Sequence, residues 1–308
     1  MTSVVVFAYH NVGATCLRVL LKHGIDVRLL VTHADNPTEN VWFESVATLA
    51  RENAIPVVMP DDPNMPDFIA RIAALKPDFL FSFYYRLMLK PELLATASRG
   101  AFNMHGSLLP KYRGRVPINW AIIKGESSTG ASLHEMVEKP DAGRIVDQES
   151  VAIGPDETAA DVFAKVTDAA AATLDRALPA LIRGDAVMRP QQLADGSYFG
   201  GRKPADGVIH WQDSAQNIHN LVRAVAPPYP GATTTIRGEA VKINRTRLAP
   251  AHFQHQNPGM LNVGSEAVIA LCGDGRMLRI IEAEIDGQHH NEIMLAARFG
   301  VGVYPLGE

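Results

Sequence analysis

The sequence predicts an α/β protein, a doubly wound parallel sheet followed by a small antiparallel β-barrel. Three observations predict it. Apolar strand-type runs alternate with helix-spaced segments through the first half. One Ala-rich helical stretch closes that half. Short β-type runs with Gly-rich turns then take over in residues 201–308.

The elements follow in order. Val4–Tyr9 reads as a buried strand, and Gly13–His23, with Cys16, Leu17, Leu20 and Leu21, as a helix. Val27–Thr32 is the next strand, Glu44–Glu52 a helix and Ile55–Met59 a strand. Phe68–Leu75 is a helix and Phe79–Phe83 a strand. Further strands are predicted at Phe102–His105, Gly130–Val137 and Ile145–Ile153. From Glu157 to Ile182 the residues Phe163, Val166, Ala170, Leu174, Leu178 and Leu181 recur three or four apart, the spacing of a helix bounded by Pro155 and Gly184. The polar, irregular stretch from there to Asp206 reads as a linker. A helix at Ser214–Val225 ends at Pro227-Pro228. The barrel strands are Ala232–Ile236, Ala240–Ile243, Ala267–Leu271 and Met277–Glu284. Two domains are expected, residues 1–200 and 201–308.

Composition bounds the function. The chain has 308 residues, 47% hydrophobic and 20% charged, with a net charge of −4. That is an ordinary soluble composition, and it argues against life on nucleic acid, which favours a basic surface. The two cysteines, Cys16 and Cys272, match neither a disulfide framework nor a zinc spacing. The chain opens on a strand rather than a signal peptide, and no apolar run reaches membrane-spanning length, so a cytoplasmic protein is expected. The first strand-to-helix turn, Tyr9-His10-Asn11-Val12-Gly13, has one glycine where a dinucleotide fingerprint needs three, so no nicotinamide cofactor is expected.

The chemistry concentrates in residues 103–117, Asn-Met-His-Gly-Ser-Leu-Leu-Pro-Lys-Tyr-Arg-Gly-Arg-Val-Pro. In a strand, Asn103 and His105 leave the same face. An amide and an imidazole in one space can hold an oxyanion and move a proton, the needs of acyl-type transfer. Asp141, in Lys-Pro-Asp-Ala-Gly, is a carboxylate that would favour a protonated imidazole, although spacing alone leaves open a plain turn before Gly143. Lys111, Arg113 and Arg115 form a basic cluster suited to an anion or to solvent. Tyr84-Tyr85-Arg86-Leu87-Met88-Leu89 could line an apolar slot for a flat heterocycle or serve as core. No histidine stands at metal-ligand spacing with a carboxylate or cysteine, so no metal is expected.

The run Asn103-Met104-His105-Gly106-Ser107-Leu108-Leu109-Pro110, with Arg113-Gly114-Arg115-Val116-Pro117 and Asp141-Ala142-Gly143, resembles the 10-formyltetrahydrofolate-dependent formyltransferase family. The resemblance is closest to members that formylate UDP-4-amino-4-deoxy-L-arabinose for lipid A modification and polymyxin resistance. It extends along nearly the whole chain, through Thr32-His33-Ala34-Asp35-Asn36-Pro37, Phe81-Ser82-Phe83-Tyr84-Tyr85-Arg86 and Leu221-Val222-Arg223-Ala224-Val225-Ala226, and weakens after about Gly287. It implies a Rossmann-like formyltransferase fold followed by an OB-like barrel. It implies that His105 is the acid/base, that Asn103 stabilises the tetrahedral intermediate, and that Asp141 orients His105 and favours its protonated form. Folate contacts are implied for Leu87, Met88 and Leu89, for Arg115, and for Val137, Glu138, Lys139, Pro140 and Asp141. Candidate sugar-nucleotide contacts are Ser107, Lys111, Arg202, Arg223 and Tyr229. In the bifunctional members this domain is joined to an NAD-dependent decarboxylase, which this chain lacks, so formyl transfer alone is expected.

Three rivals are weighed. A methionyl-tRNA formyltransferase would need a basic, phosphate-tracking surface. Residues 34–50 hold no Lys or Arg but do hold Asp35, Glu39 and Glu44, and residues 201–308 hold ten Lys/Arg against ten Asp/Glu. A formyl-folate hydrolase would usually carry a preceding regulatory domain. A non-catalytic sugar-nucleotide or folate-binding module would be supported by loss of Asn103, His105 or Asp141, and all three are present.

Overall fold

A computed structural model describes residues 1–37, 40–252 and 257–307, with side chains 250–252 excepted. Glu39, weighed above as part of an acidic stretch, lies outside the described residues. Contacts divide the chain into two units. One comprises residues 1–117, 128–151 and 164–200; the other comprises residues 118–127, 152–163 and 201–308.

The first unit is an α/β layer structure. Its strands are β1 (Ser3–Ala8), β2 (Asp26–Val31), β3 (Val57–Val58), β4 (Phe79–Phe83), β5 (Ala101–His105), β6 (Arg113–Gly114), β7 (Ser128–Glu135), β8 (Ile145–Ala152) and β9 (Tyr198–Phe199). Helices α1 (His10–Lys22), α2 (Val46–Glu52), α3 (Pro66–Ala74) and α4 (Pro91–Leu94) connect the early strands. The seven-stranded sheet runs β3-β2-β1-β4-β5-β7-β8. Every residue of β1 and β4 is buried, as expected for strands covered on both faces. One face packs Val5, Phe7, Leu29, Val31, Leu80 and Ile72 into a single cluster. The strand order reverses at β1–β4, so the loops at the carboxyl ends of β1, β4 and β5 flank the switch point.

The sheet departs from the parallel expectation at one place. Pairings from β3 to β5 are parallel, but β7 runs antiparallel to β5. Between them lie a long loop and α5 (Pro117–Ile123). The strand read at Ile55–Met59 narrows to Val57–Val58. The long Ala-rich helix is present as α6 (Ala159–Arg183).

The segment read as a linker is not one through residue 200. Arg189 exchanges two backbone hydrogen bonds with Ile145, and β9 pairs in parallel with β6. Its irregular composition reflects a chain that follows the surface of the first unit.

The second unit is built on α7 (Ala215–Val225) and the strands β10 (Ala232–Ile236), β11 (Glu239–His252), β12 (Met260–Val263), β13 (Val268–Leu271), β14 (Arg276–Ile285), β15 (Gln288–Asn291) and β16 (Gly302–Gly307), with α8 (Glu292–Phe299). The order β11-β10-β16-β12-β13-β14 closes through a β11–β14 pairing into a six-stranded barrel, with β15 continuing from β14. Ser214 caps α7 by accepting from Asn217 N–H at 3.2 Å. Ile218 and Val222 of that helix fill the barrel core with Trp211, Ile243, Leu261 and Ile280. The smaller domain therefore matches the barrel that the sequence predicts.

Candidate active site

His105 ends β5, and Asn103 precedes it on the same face. Antiparallel β7 sets His134 directly across from Asn103 and Ser132 across from His105. The Asn103 amide nitrogen lies 3.2 Å from His134 Nε2, while His134 Nδ1 lies 2.8 Å from the Glu135 carbonyl. The carbonyl can only accept, so Nδ1 carries a proton, while Nε2 faces both the Asn103 amide and, at 3.4 Å, Asp141 Oδ1. The amide has two N–H groups and at most one can meet Nε2, so one is left for a ligand.

Asp141 arrives on the loop after β7. Glu135 and Arg144 close the base of that loop with a backbone hydrogen bond at 2.9 Å and a bidentate ion pair. Gly143 is needed inside it, because a Cβ there would stand 1.9 Å from the Glu135 carbonyl oxygen. Asp141 Oδ1 lies 3.5 Å from His105 Nδ1 and 3.4 Å from His134 Nε2. Its Oδ2 accepts from Gly114 N–H at 2.9 Å. Burial alone would push this carboxyl up; the neighbouring His105, the contact with His134 and the Gly114 N–H outweigh it and hold Asp141 well below the usual carboxylate range.

The other side of His105 is fixed as well. Nε2 donates to the Tyr112 carbonyl at 2.8 Å, which turns Nδ1 toward Asp141. The imidazole is buried, 6% exposed. Tyr84, Tyr112, Val116 and Asp141 all have left-handed backbones, with φ between 46° and 58°. Such strain in non-glycine residues gathers at ligand sites, and here it gathers in the loops after β4, β5 and β7.

The remaining expected residues divide. Leu87 and Met88 are exposed, whereas Leu89 is buried against Leu93 in the core. Asn64 holds this loop, donating to the Met88 carbonyl and accepting from Lys90 N–H. Val137, Glu138 and Lys139 are exposed and Pro140 is half-buried. Arg115 and Lys111 are exposed. Ser107 is fully buried and donates its hydroxyl to the Lys111 carbonyl at 2.7 Å, so it builds the loop. Arg202, Arg223 and Tyr229 belong to the second unit. Arg202 lies 5.0 Å over the Trp120 ring. Arg223 is buried, its guanidinium bonded to the Gly154 and Glu157 carbonyls and to Asn220. Burial raises the Tyr229 phenol to about 12.

Several contributors escape sequence reasoning. His134 reads as one more position in a buried strand; its signal is alternation, since it shares a face with Ser132. The aromatic group at the ends of β1, β2 and β4 is another, apart from Tyr85 and Arg86, which the sequence offers as part of a slot or of the core. His10 stacks on Phe43 at 4.1 Å, His33 stacks on Tyr85 at 4.1 Å, and the Arg86 guanidinium sits 4.7 Å over the Tyr9 ring. A cavity of about 140 Å³ beside them is lined by Tyr9, Thr32, His33, Asp35, Phe43 and Arg51 among others, and by none of Asn103, His105 and Asp141. Among the described residues no group of three or more His, Cys, Asp or Glu could hold a metal ion, and no helix is long and apolar enough to cross a membrane.

Comparison with known proteins gives matches over both units of the chain. The family model for formyl transferase matches residues 4–178, and that for the formyl transferase C-terminal domain matches residues 202–297. Among solved structures, the chain is similar to an N-formyltransferase from Helicobacter canadensis in complex with folinic acid and dTDP-3-aminofucose, with TM-score 0.70, 20% identity, and coverage of 91% of this chain and 99% of that one. It is similar to a 4-N formyltransferase from Francisella tularensis, with TM-score 0.61, 20% identity, and coverage of 75% and 91%. It is also similar to HypX from Aquifex aeolicus in complex with tetrahydrofolic acid, with TM-score 0.63, 19% identity, and coverage of 97% and 48%.

Proposed function

The chain belongs to the formyl transferase family, and from that premise we propose that it moves a formyl group from 10-formyltetrahydrofolate to the amine of a nucleotide-linked amino sugar, with UDP-4-amino-4-deoxy-L-arabinose as the acceptor. The observation that carries this reading is the convergence of Asn103, His105 and Asp141 on the face of β5. Structural relatives that hold folates and a dTDP-amino sugar support the two substrate classes. The sugar and the UDP moiety rest on the sequence resemblance.

The amine lone pair attacks the formyl carbon, and the carbonyl electrons move onto oxygen. The free N–H of Asn103 donates to that oxyanion, worth about 3 kcal/mol by analogy with single oxyanion donors. As the tetrahedral intermediate collapses, the bond from carbon to the folate nitrogen breaks. The amine loses one proton and the folate nitrogen gains one, with His105 as the relay. Both ring nitrogens of His105 are engaged, and the 3.5 Å contact to Asp141 is the longer, so Nδ1 is the atom best able to exchange a proton with bound substrate. Ionised Asp141 balances the charge on the protonated ring. The exposed Leu87, Met88 and residues 137–140 are proposed to receive the folate, with Arg115 beside them. Lys111, Arg202 and Tyr229 are offered as nucleotide contacts, whereas Arg223 and Ser107 are already committed to the chain's own carbonyls.

The test is to incubate the protein with 10-formyltetrahydrofolate and UDP-4-amino-4-deoxy-L-arabinose. Formylation adds about 28 Da to the sugar nucleotide, the formyl group less one hydrogen. No product there, with efficient formylation of methionyl-tRNA, overturns the proposal.

A further inference from the structure

The stretch after α6 does more than join two units. Gln191 donates its amide to the Asp141 carbonyl at 3.0 Å and to the Gly143 carbonyl at 2.6 Å. It thus grips the loop on both sides of Ala142 and holds Asp141 in its left-handed conformation. Its Oε1 is buried without a hydrogen-bond partner, so the two carbonyls alone fix the orientation of the amide. Turning the amide over would set an oxygen against both carbonyls.

Six residues later the same stretch meets the other half of the site. Ser197 Oγ accepts from Tyr112 N–H at 2.9 Å, and the Ser197 carbonyl accepts from Arg113 N–H at 3.0 Å. The peptides on both sides of Tyr112 are therefore held, and the Tyr112 carbonyl is the group that His105 Nε2 meets. The Phe199 ring stacks on Tyr112 at 5.4 Å, and its carbonyl accepts from Arg115 N–H at 2.9 Å. Between these contacts lies Gly114, whose N–H holds Asp141 Oδ2. Two glycines allow this close approach. A Cβ on Gly114 would stand 2.2 Å from the Phe199 carbonyl oxygen, and one on Gly196 would stand 2.2 Å from the Pro110 carbonyl oxygen.

We propose that residues 189–199 form a brace for the catalytic geometry, with Gln191 positioning Asp141 and Ser197 positioning His105 through Tyr112. The proposal rests on the formyl-transfer reading for its kinetic test, but its structural test does not. Neither residue touches the reacting atoms, so their loss moves groups without removing chemistry. A displacement of about 1 Å can cost about 100-fold in a transfer that depends on alignment.

The experiment uses the full chain and the variants Ser197→Ala, Ser197→Thr, Gln191→Leu and, as an exposed neighbour, Gln192→Leu. Ser197→Ala and Gln191→Leu should each lower kcat about tenfold, with KM for both substrates within about twofold of wild type. Ser197→Thr keeps the hydroxyl and should stay near wild type, as should Gln192→Leu. In parallel, the carbon-13 chemical shifts of the His105 ring are measured without substrate at one neutral pH. They should differ from wild type in Ser197→Ala and in Gln191→Leu, while thermal denaturation shows both folded. An unchanged kcat in both variants, or a rise in KM without a fall in kcat, overturns the brace. Should the wild type formylate no amino sugar, the function proposal fails by itself, and an unchanged His105 signal in both variants is then the result that overturns the brace.

Discussion

Asp141 is where most of the site's constraints meet, since one carboxylate faces two imidazoles and a backbone N–H. Its folded value is depressed, so the stability it contributes is present in full above its unfolded value, about 3.9, and is lost as pH falls through the folded value. Asp141→Asn should therefore unfold less steeply than wild type below about pH 4 in acid titrations followed by circular dichroism, while formyl transfer is already impaired at neutral pH. Asn103→Ala and His105→Ala should each lower kcat by about 100-fold or more with the fold intact. Near-wild-type turnover by His105→Ala would remove it as the proton relay. His10 has the same sign of pH dependence in a different window. Burial, with Arg86 nearby, pushes its ring down to about 3, so its contribution is complete above about 6.5 and declines toward 3 as the unfolded chain alone takes up the proton. The slope is up to about 1.4 kcal/mol per pH unit. His10→Asn suits the left-handed φ of 67° and does not titrate, so urea midpoints measured from pH 7 to 5 should fall less in the variant than in wild type. The Asn-x-His spacing made Asn103 and His105 legible, because period two has one meaning in a strand. His134 was not, because its importance comes from register between two strands, and no local pattern encodes register.

At the scale of elements, the loop from Glu135 to Arg144 is the most vulnerable part of the site. It has no secondary structure of its own between its closing pairs, so its shape depends on close backbone approach at Gly143. Gly143→Ala should cost about 1–3 kcal/mol in urea denaturation, the usual range for forced overpacking. It should lower formyl-transfer kcat by more than the Ser197→Ala change does, because Asp141 itself moves. A Gly143→Ala protein with normal stability and rate would show that the loop has room the present geometry denies. The helices and the central strands were readable because long apolar patterns with period 3.6, or continuous runs, survive one or two misplaced ends. The short pieces were not. β6 and β9 have two residues each, and their pairing depends on a partner more than 80 positions away. In the barrel, β16 reads Gly-Val-Tyr-Pro-Leu-Gly, a composition typical of turns, yet it lies between β10 and β12. The stretch from 189 to 199 failed for the same reason, because polar residues, Gly196 and Pro190 describe a linker until the groups they bond are known.

Over the whole molecule, charge separates the amino-sugar reading from the tRNA reading of the same chemistry. The net charge is −4, residues 34–50 contribute no cation, and residues 201–308 balance ten cations against ten anions. Pairing leaves still less positive charge available. In the barrel Lys242 pairs with Glu284, Arg245 with Glu282, Arg279 with Glu292, and Arg298 with Glu239 and Asp286. Arg223 is buried among carbonyls, and Arg237 lies over Tyr304 and donates to the Phe299 carbonyl. Turning these cations toward phosphates would mean breaking their pairs, and each broken pair offsets the gain from releasing a counterion. Binding to tRNA should therefore be weak and non-specific, with Kd roughly 10⁻⁴ to 10⁻⁶ M at physiological salt. A gel-shift titration over a range of salt concentrations checks this. Few phosphate contacts imply a shallow slope of log K against log salt, since each contact adds about 0.9 to its magnitude. Tight binding with a steep slope would mean that the paired arginines open onto nucleic acid, and the acceptor would then be a tRNA rather than a sugar nucleotide. The roles proposed for Asn103, His105 and Asp141 would be the same in either case, because they concern the formyl group of the donor and an attacking amine, which both readings share.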